Sequence, residues 1–159
     1  MVDLRFSSAL QIMLSVANAA QLGVDIVSSA QLAVGLNSNP SFVRKLLVPL
    51  AQAGLLSSIK GKFGGVTLGK APAQITLADI YVAINPARKL FASREDIPHR
   101  CFVTANMERI FDDVSTRSQA AVLGVLGELT LAGYLREYAV KAEQQDFLLS
   151  MPGTDDLNQ

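Results

Sequence analysis

The chain's 159 residues are half apolar and 18% charged, with 14 basic side chains balanced by 14 acidic ones. That is enough apolar material for one full core with an appendage, and it excludes global disorder. A single cysteine excludes an intrachain disulfide, no apolar run reaches membrane-spanning length, and the absence of tryptophan leaves little for base-stacking platforms of the single-strand type.

The opening run M-V-D-L-R-F-S-S lacks the basic region, long apolar core and cleavage site of a signal peptide, so a cytoplasmic protein with no membrane partner is expected. Ser7 can cap a first helix whose apolar side carries Leu10, Met13, Leu14, Val16 and Ala17 and which stops at Gly23. Val24–Val27 reads as an extended link. Ser28 can cap a short, alanine-rich second helix over Ser29–Leu36, and the turn Gly35-Leu36-Asn37-Ser38-Asn39 follows.

The stretch Asn37–Lys70 organises the rest. Asn39 can cap a third helix, and Pro40 suits its first turn, where no backbone donor is needed. Phe42, Val43, Leu46, Leu47 and Leu50 recur at helical spacing, while Ser41, Arg44 and Lys45 fall on the opposite face. Pro49 removes the donor that would bond to Lys45, which predicts a bend. Gly54 stands where a left-handed helix cap is needed. Leu55–Ile59 and Val66–Leu68 read as strands around the tip Lys60-Gly61-Lys62-Phe63-Gly64-Gly65. Gly61, Gly64 and Gly65 are expected to supply the positive φ angles and the close backbone approach of a tight hairpin. A helix followed by a basic β-hairpin outlines a winged helix-turn-helix.

Ala71-Pro72-Ala73 breaks the chain, and Thr76 with Asp79 forms a capping box for a helix carrying Leu77, Ile80, Tyr81 and Ile84. Pro86 ends or kinks it, and residues 92–100 are polar and loop-like. From Val103, apolar residues recur through Met107, Ile110, Phe111, Val114, Ala121, Val122, Val125, Leu126 and Leu129, about seven helical turns. A helix that long in so small a protein usually buries part of itself against a second copy, with Met107, Ile110, Val114 and Val122 expected near the shared face; the alternative is a single helix running through the core. Tyr134–Leu149 is again helix-compatible. The expected organisation is mainly α with a small β-wing. It comprises a winged helix-turn-helix domain over 1–85, a linker over 86–102, a dimerisation helix and C-terminal helix over 103–150, and a tail over 151–159.

Charge placement gives this outline a function. Residues 1–70 hold six bases and two acids, a net of +4, whereas residues 71–159 hold eight bases and twelve acids, a net of −4. A basic face joined to an acidic partner region points to double-stranded DNA. Ser28, Ser38, Asn39, Ser41, Arg44 and Lys45 are placed nearest the major groove, with Lys60 and Lys62 over a neighbouring phosphate backbone or minor groove. The rival is a winged-helix protein-interaction module, which needs the core pattern but not the basic face. Enzyme chemistry finds no footing. Gly64-x-x-x-x-Gly69-Lys70 resembles a P-loop, but Ala71 and Pro72 follow where Ser or Thr and a helix are required. His99 has no partner identified by spacing, and Glu108, Asp112 and Asp113 read as a solvated acidic face.

The runs S-N-P-S-F-V-R-K-L, A-G-L-L-S-S, K-G-K-F-G-G-V-T-L-G-K and I-T-L-A-D-I-Y-V-A-I together resemble the Rrf-two family of bacterial transcription regulators. The resemblance covers roughly residues 5–135, and its most specific part is A-G-L followed by the G-x-x-G-G wing. It implies a homodimeric DNA-binding repressor or activator. Cluster-binding members of that family place three cysteines after the fourth helix. This chain has only Cys101 there, so no iron–sulfur cluster, no other metal and no other cofactor is expected. Some cluster-lacking relatives carry one cysteine nearby, and the flanking His99 and Arg100 would favour a thiolate at Cys101. Cys101 is therefore read either as a thiol-redox sensor or as a small hydrophobe packed beside Phe102 and Val103. The effector is left open.

Overall fold

The protein is described here from a computed structural model, covering residues 4–86, 90, 91, 94, 98 and 101–138. The elements are α1 (Arg5–Gln21), α2 (Ser29–Gly35), α3 (Pro40–Gln52), β1 (Leu56–Ile59), β2 (Gly65–Leu68), α4 (Leu77–Ile84), α5 (Phe102–Gly127) and α6 (Leu131–Glu137). A 3₁₀ turn, Pro72–Gln74, precedes α4.

α1 is the central helix of the head, burying Ala9, Ile12, Met13, Val16, Ala17 and Ala19. It starts earlier than its sequence suggests. Leu4 already has helical angles, so Ser7 and Ser8 lie inside the first turn and donate their hydroxyls to the Leu4 carbonyl at 2.9 and 2.8 Å. Ser7 is thus not the cap. At the other end Gly23 takes φ +82°, and the Val24 N–H reaches back to the Ala19 carbonyl, closing the helix as expected.

Capping at the next helices follows the sequence closely. Ser28 and Gln31 form a reciprocal box at α2, the Asn39 carboxamide oxygen accepts the Phe42 N–H at 2.8 Å at α3, and Thr76 and Asp79 exchange bonds of 3.1 and 2.9 Å at α4. α3 continues through Pro49 to Gln52 and ends beside Gly54, which has φ +70°.

β1 and β2 pair antiparallel, from Leu56 opposite Leu68 to Ile59 opposite Gly65. The expected link before α2 does more than connect. Val27 and Val66 exchange backbone bonds of 3.0 and 2.9 Å, adding one rung on the far edge of β2 beside the wing tip. The three tip glycines divide their work differently from expectation. Only Gly61 has a positive φ, +120°. Gly64 and Gly65 are required by close approach alone: a Cβ on Gly64 would strike the Ile59 carbonyl, and one on Gly65 the Val27 carbonyl.

α5 is the long helix expected from the apolar repeat, and its C-terminal end is stitched back into the head. Leu77 N–H bonds to the Leu129 carbonyl at 2.9 Å, and Leu131 N–H to the Ile75 carbonyl at 3.1 Å. Leu131 is fully buried in the same core as Ile12, Leu50 and Ile80, with Leu135 packed against it. The head therefore takes in a piece of chain that the sequence assigns to the dimerisation region. The expected helix over Tyr134–Leu149 lies beyond the described residues after Tyr138, as do most of the loop 92–100 and the tail 151–159.

Candidate nucleic-acid interface

α3 buries Val43, Leu46, Leu47 and Leu50. At 100° per residue these define one side; Ser41, Lys45, Val48 and Gln52 stand opposite it and Arg44 on the flank, all exposed. Ser38 and Asn39 extend this face at the helix start, also exposed. The Asn39 oxygen is committed to the cap, which leaves its amide nitrogen as the donor of this side chain. Arg44 Nε lies 3.4 Å from the Ser29 hydroxyl, so this guanidinium stands between α3 and the start of α2. Ser28 is half-buried and its hydroxyl oxygen accepts the Gln31 N–H at 3.2 Å; it shapes the start of α2.

The second basic element lies on the wing. Lys60 and Lys62 are exposed, and the Lys62 ammonium sits 5.5 Å from the centroid of the Phe63 ring, itself 62% exposed. The structure thus sorts the expected contacts into a helix group and a wing group, joined through the Val27–Val66 rung. Three exposed neighbours went unread in the sequence: Val48, Gln52 and Phe63. Gln52 had a usable signal, as a polar residue at i+8 from Arg44; Val48, at i+4, shares the same outward repeat but is apolar. The expected P-loop failure is explained by position, since Gly65–Leu68 is a strand.

α5 is organised in the opposite way. Its one buried residue is Ser115, whose hydroxyl donates to the Phe91 carbonyl at 3.3 Å. Val103, Ile110, Val114 and Val125 are exposed along one side, with Met107 half-buried among them. Val122 is half-buried and lies roughly 80° round the helix from Val114, on the Ser115 side, so it stands apart from that exposed line. Flanking this line, Asp113 pairs with Arg117 at 3.0 Å, one turn away and well exposed; Arg117 follows Ile110 by seven residues and so shares its side of the helix.

Cys101 is the N-cap of α5 and is exposed, as are Phe102 and Val103. The packed-hydrophobe alternative therefore does not describe it. The Thr104 hydroxyl accepts the Cys101 N–H at 3.0 Å and lies 3.6 Å from Sγ. Bonding from the Thr104 backbone and then its hydroxyl, followed by the Val103 backbone, lowers the thiol pKa below its ordinary value. Thr104 is thus a neighbour that sequence reasoning missed; the cations invoked instead, His99 and Arg100, lie outside the described residues. No group of three metal-ligating side chains exists among the described residues, and the chain has one cysteine. That donor set does not fit an iron–sulfur centre.

Comparison with known proteins adds a family to this geometry. The model of Rrf2, iron-dependent transcriptional regulator, matches residues 2–137. YwnA of Bacillus subtilis, described as an HTH-type transcriptional regulator, is 31% identical over 96 residues, covering 60% of this chain and 71% of its own. A solved structure of a transcriptional regulator from Lactobacillus plantarum superposes with a TM-score of 0.71 at 25% identity, over 91% of this chain and 98% of that one. CymR of Staphylococcus aureus gives a TM-score of 0.61 at 27% identity, over 86% and 98%.

Proposed function

The chain belongs to the Rrf2 family of transcriptional regulators, and on that premise we propose that it is a homodimeric, sequence-specific repressor of transcription, working in the cytoplasm on double-stranded DNA. The family is one of regulators and not of enzymes. The observation that carries the reading is the outward face of α3, where Ser41 and Lys45 stand opposite a fully buried apolar stripe and Arg44 stands on its flank. A helix so built presents hydrogen-bonding and cationic groups to a groove while its back holds the head together.

Dimerisation is supported by α5, whose line of Val103, Ile110, Val114 and Val125 is exposed among the described residues. Two heads held at fixed separation would read two half-sites. The protein works without an iron–sulfur cluster, since its donor set lacks the ligands. A thiol response at Cys101 is supported by its exposure and lowered pKa.

Fluorescence anisotropy on duplexes from the region upstream of its own gene tests the central claim. If Lys45, Lys60 and Lys62 of both protomers meet phosphates, log K should fall against log salt with a slope of about −5. Binding that ignores salt, or no binding to any duplex, would favour the protein-interaction module.

A further inference from the structure

We propose that Val48 reads the 5-methyl group of a thymine, so that each operator half-site carries one thymine recognised by its methyl. The inference rests on the DNA-binding reading above and deepens it. On α3 the buried residues Val43, Leu46, Leu47 and Leu50 fix the inward direction. Val48 points almost straight away from them, between Arg44 on one flank and Lys45 on the other, one turn beyond both. It is 55% exposed.

A valine at the centre of a cationic, hydrogen-bonding face offers nothing to phosphates and no hydrogen bond to a base edge. The major groove presents a single apolar feature, the C5-methyl of thymine, and an aliphatic side chain is the matching contact. Ser41, Arg44, Lys45 and Val48 follow i, i+3, i+4 and i+7, one continuous line on the surface that would face the groove. Arg44 and Val48, four residues apart, therefore address neighbouring base pairs, and a G close to the recognised T is the sequence class this face suits.

The test uses the full-length protein and a duplex that it selects from a random-sequence pool. Each thymidine of that duplex is replaced singly by deoxyuridine, which removes the methyl and keeps every hydrogen-bonding group. One position per half-site should weaken binding about fourfold, the effect of uncovering one methyl. Val48→Ala should bind the parent duplex more weakly and be indifferent to deoxyuridine at that position, while Val48→Ile should restore the discrimination. Val48 lies outside the core, so circular dichroism melts of both variants should match the unaltered protein. Overturning results are a selected operator with no methyl-sensitive thymine, or a deoxyuridine penalty that persists in Val48→Ala. Failure to select any duplex would instead defeat the DNA-binding reading itself, and this inference with it.

Discussion

The head and the long helix are built from the same apolar alphabet and use it in opposite ways. α1 turns six of its 17 residues into core, whereas α5 buries one residue in 26, and that one is a serine. The head covers most of its apolar stripes with one another, leaving scattered apolar side chains such as Val34, Val48 and Phe63 outside among polar ones. α5 leaves valines and an isoleucine in solvent while its C-terminal end is held by the head. A stripe with no cover inside the chain signals association, whereas a stripe with full cover signals stability alone.

The sharpest way to break this contrast is at Leu131, which follows α5 in sequence but belongs to the head in space. Leu131→Ala should cost about 2–5 kcal/mol of global stability, measured by denaturant unfolding, because it empties a fully buried site. A loss under about 1 kcal/mol would mean that α6 is not part of the core. On α5 the prediction inverts. Val114→Glu should weaken association by about 3 kcal/mol, by placing a charge in the shared face, yet shift the unfolding of the head by no more than about 0.5 kcal/mol. Sedimentation equilibrium of the variant and of the unaltered protein reads the first effect, and a monomer in both would remove α5 from any interface.

Within the head, the helix and the wing should part company in a milder way. Arg44→Ala should cost about 1–3 kcal/mol on the true operator and relax its sequence preference. Lys62→Ala should instead weaken operator and random duplex alike and reduce the salt slope by about one unit. Equal losses for Arg44→Ala on both duplexes would move base reading to Ser38, Asn39 and Ser41. The smallest effect belongs to the start of α5. A lowered thiol pKa means more thiolate at neutral pH, so Cys101 alkylation should level off below the pH of about 8.5 expected of free cysteine. Thr104→Val removes a bonding partner and should shift that plateau upward, slowing alkylation at pH 7 by a small factor. An unchanged profile would show that Thr104 does not tune the thiol.

The parts of this fold legible in the sequence are those governed by neighbours in the chain. Asn39, Ser28 and the Thr76–Asp79 pair cap helices because a short side chain reaches the N–H three residues on, and such spacing can be read directly. Gly54 and the apolar repeat of α5 are legible for the same reason. What escaped reading depends on distant partners. Val27 and Val66 are 39 positions apart and exchange one pair of bonds, too few to leave a periodic trace. Gly64 and Gly65 look like turn glycines until the Ile59 and Val27 carbonyls are seen against them. Leu131 looks like an appendage until Ile75 is found holding it. At the candidate interface the basic residues were legible from charge, whereas Val48 was hidden because an apolar residue in a helix reads as core unless the inward face is already known.

The rung between Val27 and Val66 also governs what kind of duplex this protein can accept. It fastens β2, close to the wing tip, to the residue just before the Ser28 cap of α2, and α2 leads directly into α3. The wing and α3 are thus tied through one backbone bridge, like the two arms of a calliper. The tighter that tie holds, the more any mismatch in groove width or local curvature would fall on the DNA. Stiff and pliable sequences would then differ in affinity even at base pairs no side chain touches, a selectivity for mechanical softness that is added to the reading of base edges.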